Sequence, residues 1–163
     1  LDFNTFVKEY HQRVYWQVRR MVYNHEDTND LVQDIFVKVY TNFEQFRGDA
    51  KLSSWVYRIA YNETINFLKK QAKERTLSLD ELAMDAIDHL KDDIYFDGDE
   101  SEILLQKAIA HLPEKQRLVF LYKYYDELKY DEIAEILGGS VGSLKASYHH
   151  AVNKIKDFIY QQH

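Results

Sequence analysis

Three sets of side chains are spaced so that each shares one helix face, and none of the three is arranged for covalent chemistry. Ser54, Arg58, Tyr61, Asn62, Ile65 and Lys69 follow one another at steps of four, three, one, three and four, which keeps them on one side of a helix. Cations for phosphates, an amide, and a ring that can stack on an unpaired base suit a melted nucleic-acid strand. The segment before them, Arg47 to Ser53 and including Lys51, can form a pocket for an extruded base. Lys70, Lys73 and Arg75 extend the basic track, where simple solvation is the competing role. Trp55 stands among Val56 and Ile59 and reads as core.

A second set, Asp30, Gln33 and Asp34, lies at i, i+3 and i+4. These acceptors share a face opposite the apolar one. Taken alone they describe a solvated polar face with a small helix-dipole benefit. The third set is carried by Asp131-Glu-Ile-Ala-Glu-Ile-Leu-Gly138-Gly-Ser140-Val-Gly-Ser-Leu144-Lys145. Ile133, Ile136 and Leu137 make one apolar stripe, Gly138 stops the helix where a positive φ is cheap only for glycine, and Ser140 N-caps the next helix. The spacing of Ala134, Gly138 and Leu144 is that of a helix-turn-helix, whose second helix enters the DNA major groove. An ordinary helical hairpin is the plainer alternative. Ser143, Ser147 and His150 share the outer side of that second helix, with Lys145 beside them.

Catalysis finds little to work with. Ser147, His149, His150 and nearby acids invite comparison with a triad or metal site. Adjacent histidines point to different sides of a helix, however, and no His-x3-His pair or Gly-rich phosphate loop accompanies them. The absence of cysteine rules out a thiolate metal site and a disulfide framework. Neither an enzyme, a metal nor a cofactor is expected.

The elements that must position these faces read as helices throughout. Residues 2–24 form the first, with Phe3, Phe6, Val7, Tyr10, Val14, Val18, Met21 and Val22 inward. After a break at Asn24 to Asp27, a second runs over about 28–46 and buries Leu31, Val32, Ile35, Phe36, Val39, Tyr40 and Phe43. A third runs from near Ser53 to about Lys73. The net charge of −6 is concentrated in residues 76–104, which hold ten acids and one base. The flanking blocks are near neutral, so the overall acidity does not argue against DNA binding. That acidic stretch reads as a solvated, flexible linker with one weak helix near 78–90. The expected architecture is all-α, with two small helical domains. A three- to four-helix bundle over 1–75 and a helix-turn-helix domain over 102–163 are joined by an acidic linker over 76–101. The longest apolar runs are too short to span a bilayer, and no basic-then-apolar leader opens the sequence. A cytoplasmic protein without direct membrane insertion is expected.

The ordered blocks together resemble a known family. Asp30-Leu-Val-Gln-Asp-Ile-Phe36-Val-Lys-Val-Tyr40, Phe46-Arg-Gly-Asp-Ala, Trp55-Val-Tyr-Arg-Ile-Ala-Tyr-Asn62, His111-Leu-Pro113-Glu-Lys-Gln-Arg117 and the Tyr130 to Lys145 segment are similar to bacterial extracytoplasmic-function (ECF) sigma factors. The resemblance covers nearly the whole chain outside the acidic middle. It implies a promoter-specificity subunit of RNA polymerase, with one domain for the −10 element and one for the −35 element. It implies core-polymerase docking through Asp30, Gln33 and Asp34. The −10 contacts would come from Lys51, Ser54, Arg58, Tyr61, Asn62 and Lys69, and the −35 contacts from Ser140, Ser143, Lys145, Ser147 and His150. An anti-sigma factor is the further partner it implies. Two departures stand out. Ser147 and His150 occupy positions where the family usually has arginine, which reduces counterion release on binding DNA. Lys129 stands at an N-cap where a hydroxyl is usual. A helix-turn-helix regulator that binds DNA without polymerase is the alternative, but it leaves the Asp30 to Asp34 face and the Trp55 to Asn62 block unexplained.

Overall fold

The computed structural model describes residues 2–46 and 51–162. Among these, eight α-helices follow in order: α1 Phe3–Val22, α2 His25–Asn42, α3 Leu52–Arg75, α4 Leu79–Asp88, α5 Glu100–Ala110, α6 Glu114–Tyr124, α7 Tyr130–Leu137 and α8 Val141–Gln161. No strand occurs among the described residues. No described helix is long and apolar enough to cross a membrane. The Arg47 to Ala50 part of the expected base pocket lies outside the described residues.

The local chemistry that starts and stops these helices is specific. The segment Asn24 to Asp27, expected as a break, is the start of α2. The Asn24 side chain accepts from the Asp27 N–H at 2.8 Å, and Glu26 and Asp27 fill the first turn where the helix dipole favours acids. The chain still reverses there, because Tyr23 adopts a left-handed φ of 64°. Gly138 and Gly139 take φ of 82° and 88° between α7 and α8, conformations that cost a side-chain-bearing residue energy. The Ser140 hydroxyl then accepts from the Ser143 N–H at 3.1 Å. Lys129 caps α7 without a side-chain acceptor. Glu132 supplies the reciprocal half by accepting from the Lys129 N–H at 3.1 Å, and Asp131 accepts from the Glu132 N–H at 3.0 Å.

Helices α1, α2 and α3 form the N-terminal bundle, with Phe6, Val14, Val18, Ile35, Val39, Val56 and Tyr57 among its buried side chains. The C-terminal helices pack around Ile109, Leu112, Phe120, Leu121, Ala151 and Ile155. A shared apolar cluster joins the two units: Val119, Tyr122, Ile133, Ile136 and Leu144 continue the core built by α1 to α3. Contact with the C-terminal unit or with the linker explains two burials that one-face periodicity does not give. Gln17 and Arg19 of α1 are only 5% and 6% exposed. Tyr40 departs the other way. The apolar spacing of α2 places it inward, yet it is 64% exposed, standing past the edge of the bundle with its ring edge-on to Phe3.

The acidic segment is tied down. Ser78 and Glu81 form a reciprocal capping box that starts α4. Arg75 pairs with Asp85 at 2.9 Å, Arg117 with Asp80 at 2.9 Å, and Arg19 with Asp93. His25 stacks on Tyr95 at 3.8 Å between ring centroids. Charge that reads as solvation in the sequence thus neutralises arginines of both units. Arg117 is the key fastening. It is 7% exposed and also donates to the Leu112 carbonyl at 2.8 Å. Arg117→Met is expected to raise amide exchange over residues 79–92 by about 5- to 150-fold, the equivalent of about 1–3 kcal/mol of lost local protection. Exchange in α1 and α2 should stay unchanged, and mass-spectrometric exchange kinetics measure both.

Candidate nucleic-acid interface

The three faces emerge in different states. Asp30, Gln33 and Asp34 are all exposed on α2, held there by Leu31, Val32, Ile35 and Phe36 beneath. Beside Gln33 opens an apolar groove of about 570 Å³, walled by Phe3, Val7, Val32, Phe36, Val37 and Tyr40. Val37, like Tyr40, is 64% exposed. Helical periodicity does not reveal this groove. Its one signal in the sequence is a valine outside the apolar stripe of α2.

The α3 face is split lengthwise. Lys51, Arg58, Asn62 and Lys69 are exposed, whereas Ser54 and Ile65 are buried and Tyr61 is half-buried. The helix spacing does bring Arg58, Tyr61 and Asn62 side by side, but α3 lies against α7 as well as against α1 and α2. Ser54 is 2% exposed and its hydroxyl makes no hydrogen bond to protein, so this arrangement does not offer it to a strand. Burial, with the charge of Glu114 adding to it, pushes the Tyr61 hydroxyl above the ordinary tyrosine range. Its ring is therefore neutral at every physiological pH. Trp55 is half-buried against Phe43 and Phe46, with centroids 6.4 and 5.3 Å away, in keeping with a core role.

The outer side of α8 is open. Ser140, Lys145 and His150 are exposed, and Ser143 and Ser147 are partly so. Leu144 and Ala151 anchor the helix from below. The Lys145 ammonium lies 5.8 Å from the Tyr130 ring centroid, and Lys123 lies 4.5 Å from the same ring. Tyr130 thus gathers two cations beside α8, a grouping that linear spacing does not reveal. His149 pairs with Asn153 at 3.1 Å rather than with a serine or an acid. Among the described residues no group of three metal-ligating side chains converges.

Two bodies of helix with exposed polar faces match two family models in the same order. Residues 6–74 match Sigma-70 region 2, and residues 102–155 match Sigma-70 region 4. The chain is 32% identical over 156 residues to the ECF RNA polymerase sigma factor SigW of Bacillus subtilis, covering 90% of this chain and 83% of that one. The chain belongs to the ECF sigma factors. It is 33% identical to the sigma-E factor of Escherichia coli K12, over 88% of this chain and 79% of that protein. The fold of this sigma factor is also that of a sigma factor RpoE solved with the anti-sigma factor NepR from Bartonella quintana, at a TM-score of 0.75 and 19% identity. That match covers 98% of this chain and 97% of the other. CnrH, solved with the cytosolic domain of CnrY, matches at 0.71 and 18% identity over 99% and 89% of the two chains. As a sigma factor, the protein directs RNA polymerase to promoters for transcription initiation. A lone helix-turn-helix regulator does not account for the region 2 match.

Proposed function

We propose that this sigma factor divides its work by domain. Residues 1–75 hold core polymerase and the −10 element, 102–163 hold the −35 element, and 76–101 link them. Asp30, Gln33 and Asp34 dock on the polymerase core, with the Val37–Tyr40 groove extending the contact. Lys51, Arg58, Tyr61, Asn62 and Lys69 receive the melted −10 strand, joined by Ser54 once α3 is uncovered. Ser140, Ser143, Lys145, Ser147 and His150 face the −35 duplex. An anti-sigma factor is a fitting third partner, given the partner-bound forms of the two structural relatives.

The packed arrangement is the resting form in this reading, and a distance argument carries it. Elements centred at −10 and −35 lie about 25 base pairs apart, or about 85 Å at ~3.4 Å per pair. A packed chain of this length is about 40 Å across. The two units must separate to engage both elements. The split α3 face supports the same conclusion, since part of the strand-binding surface is covered until they do.

Docking is tested by replacing Asp30 and Gln33 with alanine. Both are exposed and bear on no core contact, so stability should change by about 0.5 kcal/mol or less. Affinity for core polymerase in a pull-down should fall at least severalfold. Unchanged affinity would remove the docking role from this face.

A further inference from the structure

The junction between the two units is not uniformly apolar. Arg20 of α1 reaches across it and pairs with Asp126, just after α6, at 3.1 Å. The side chains are 21% and 12% exposed. The guanidinium also lies 4.4 Å from the Tyr125 ring centroid. Gln17 is buried beside them, and neither its amide nitrogen nor its oxygen hydrogen-bonds to protein. Gln17, Arg20, Tyr122 and Asp126 line a space of about 10 Å³, roughly the size of one water. A permanent core is close-packed and leaves few polar groups unmatched. This spot keeps a charge pair and a buried amide with no protein partner where the N- and C-terminal units meet.

We propose that the Arg20–Asp126 contact is a charge-sensitive latch that sets how readily the two units of this sigma factor part. The groups facing Asp126 fix its behaviour. From α1 come Arg20 and, farther off, Arg13; Tyr122 belongs to its own side; and Tyr57 of α3 lies near both Asp126 and Glu132. Burial outweighs the attraction of Arg20 and raises the Asp126 carboxyl from 3.8 to about 6. In the parted form the carboxyl meets water and returns to its ordinary range. The closed form therefore holds the proton more tightly, so closure is favoured at low pH. It weakens as pH rises from about 4 to about 7 and is then constant. Above about pH 7 the ionised carboxylate makes closure about a hundredfold less favourable than a neutral group would, given a carboxyl held near 6 when closed and near 4 when parted. At neutral pH the latch is thus at its weakest, and closure is about tenfold more favourable at pH 5 than at pH 7.5. The functional meaning of release rests on the packed chain being the resting form, but the latch itself is measurable without polymerase.

The test uses the full chain, which has no native cysteine. Dye pairs on cysteines introduced at exposed Thr41 and Lys156 report separation of the units by energy transfer along a urea series, with far-UV circular dichroism recording helix content. In the otherwise native chain the separation midpoint should be higher at pH 5 than at pH 7.5. Asp126→Asn, which mimics the protonated acid in shape and hydrogen bonding, should raise the midpoint at pH 7.5 and abolish that pH difference. Arg20→Met leaves the carboxylate buried without its partner, and should lower the midpoint at pH 7.5. Equal pH responses in the native-sequence and Asp126→Asn chains would overturn the proposal, as would an Arg20→Met midpoint that does not move.

Discussion

Leu144→Ala is expected to destabilise the protein by about 2–5 kcal/mol. Leu144 is fully buried in the first turn of α8, and its N–H donates to the Ser140 carbonyl at 3.0 Å. Its side chain belongs to the cluster that joins Ile133 and Ile136 of α7 to the shared core. Truncation removes the apolar contact and leaves a hole whose walls are held by three helices, so little collapse can offset it. For a chain of this size each kcal/mol moves the melting temperature by about 2–4 °C. Leu144→Met keeps most of the volume and should cost less than about 1.5 kcal/mol. Urea unfolding followed by circular dichroism gives both values. A loss below about 1 kcal/mol for the alanine variant would show that α8 is not fixed from beneath by this side chain, and the placement of Ser143, Lys145 and Ser147 over DNA would lose its foundation.

Leu144 also belongs to the part of the fold that is most legible in the sequence. The α7–turn–α8 unit is written in local chemistry: glycines at positive φ, a serine cap, and a short apolar stripe. No distant partner is needed to read it. The start of α2 is harder to place, because Asn24 to Asp27 carries both turn-forming and helix-starting residues, and the choice between them depends on where α1 ends. The burial of Gln17, Arg19 and Ser54 is hidden for a different reason. Periodicity reports the first face a helix buries, whereas α1 and α3 each bury a second one against the C-terminal unit or the linker. Likewise the ten acids of residues 76–104 fix local charge but not partners. Arg19 meets Asp93 across 74 positions, a pairing that only the folded chain determines. The faces over 30–34 and along α8 are legible as faces, since exposed polar groups at i, i+3 and i+4 need only the helix. The half-covering of α3 is not, because it depends on how two units with no sequence signal for their contact come together.

Tyr61→Ala should separate the two states that this half-covered face implies. In holoenzyme, with α3 uncovered, the proposed role of the ring is as stacking platform for a −10 base. Its loss should weaken strand capture by about 1–3 kcal/mol, or about 5- to 150-fold in open-complex formation. Core-polymerase affinity should not fall, because Tyr61 is remote in sequence and helix face from Asp30, Gln33 and Asp34. Tyr61→Phe keeps the ring and should retain most of the activity, which distinguishes stacking from any use of the hydroxyl. In the free chain the same alanine substitution acts in the opposite sense. Tyr61 packs against the shared cluster near Tyr122, so truncation weakens closure and exposes α3. A faster approach to polymerase with slower opening of duplex promoter would be the combined signature. A template already unpaired across the −10 element removes the cost of melting but still needs a surface to bind the strand, so it should restore the alanine variant only in part. Normal opening of a fully paired promoter by Tyr61→Ala would mean that the ring serves the packed form alone, and the strand would then have to be held by Arg58, Asn62 and Lys69 without stacking.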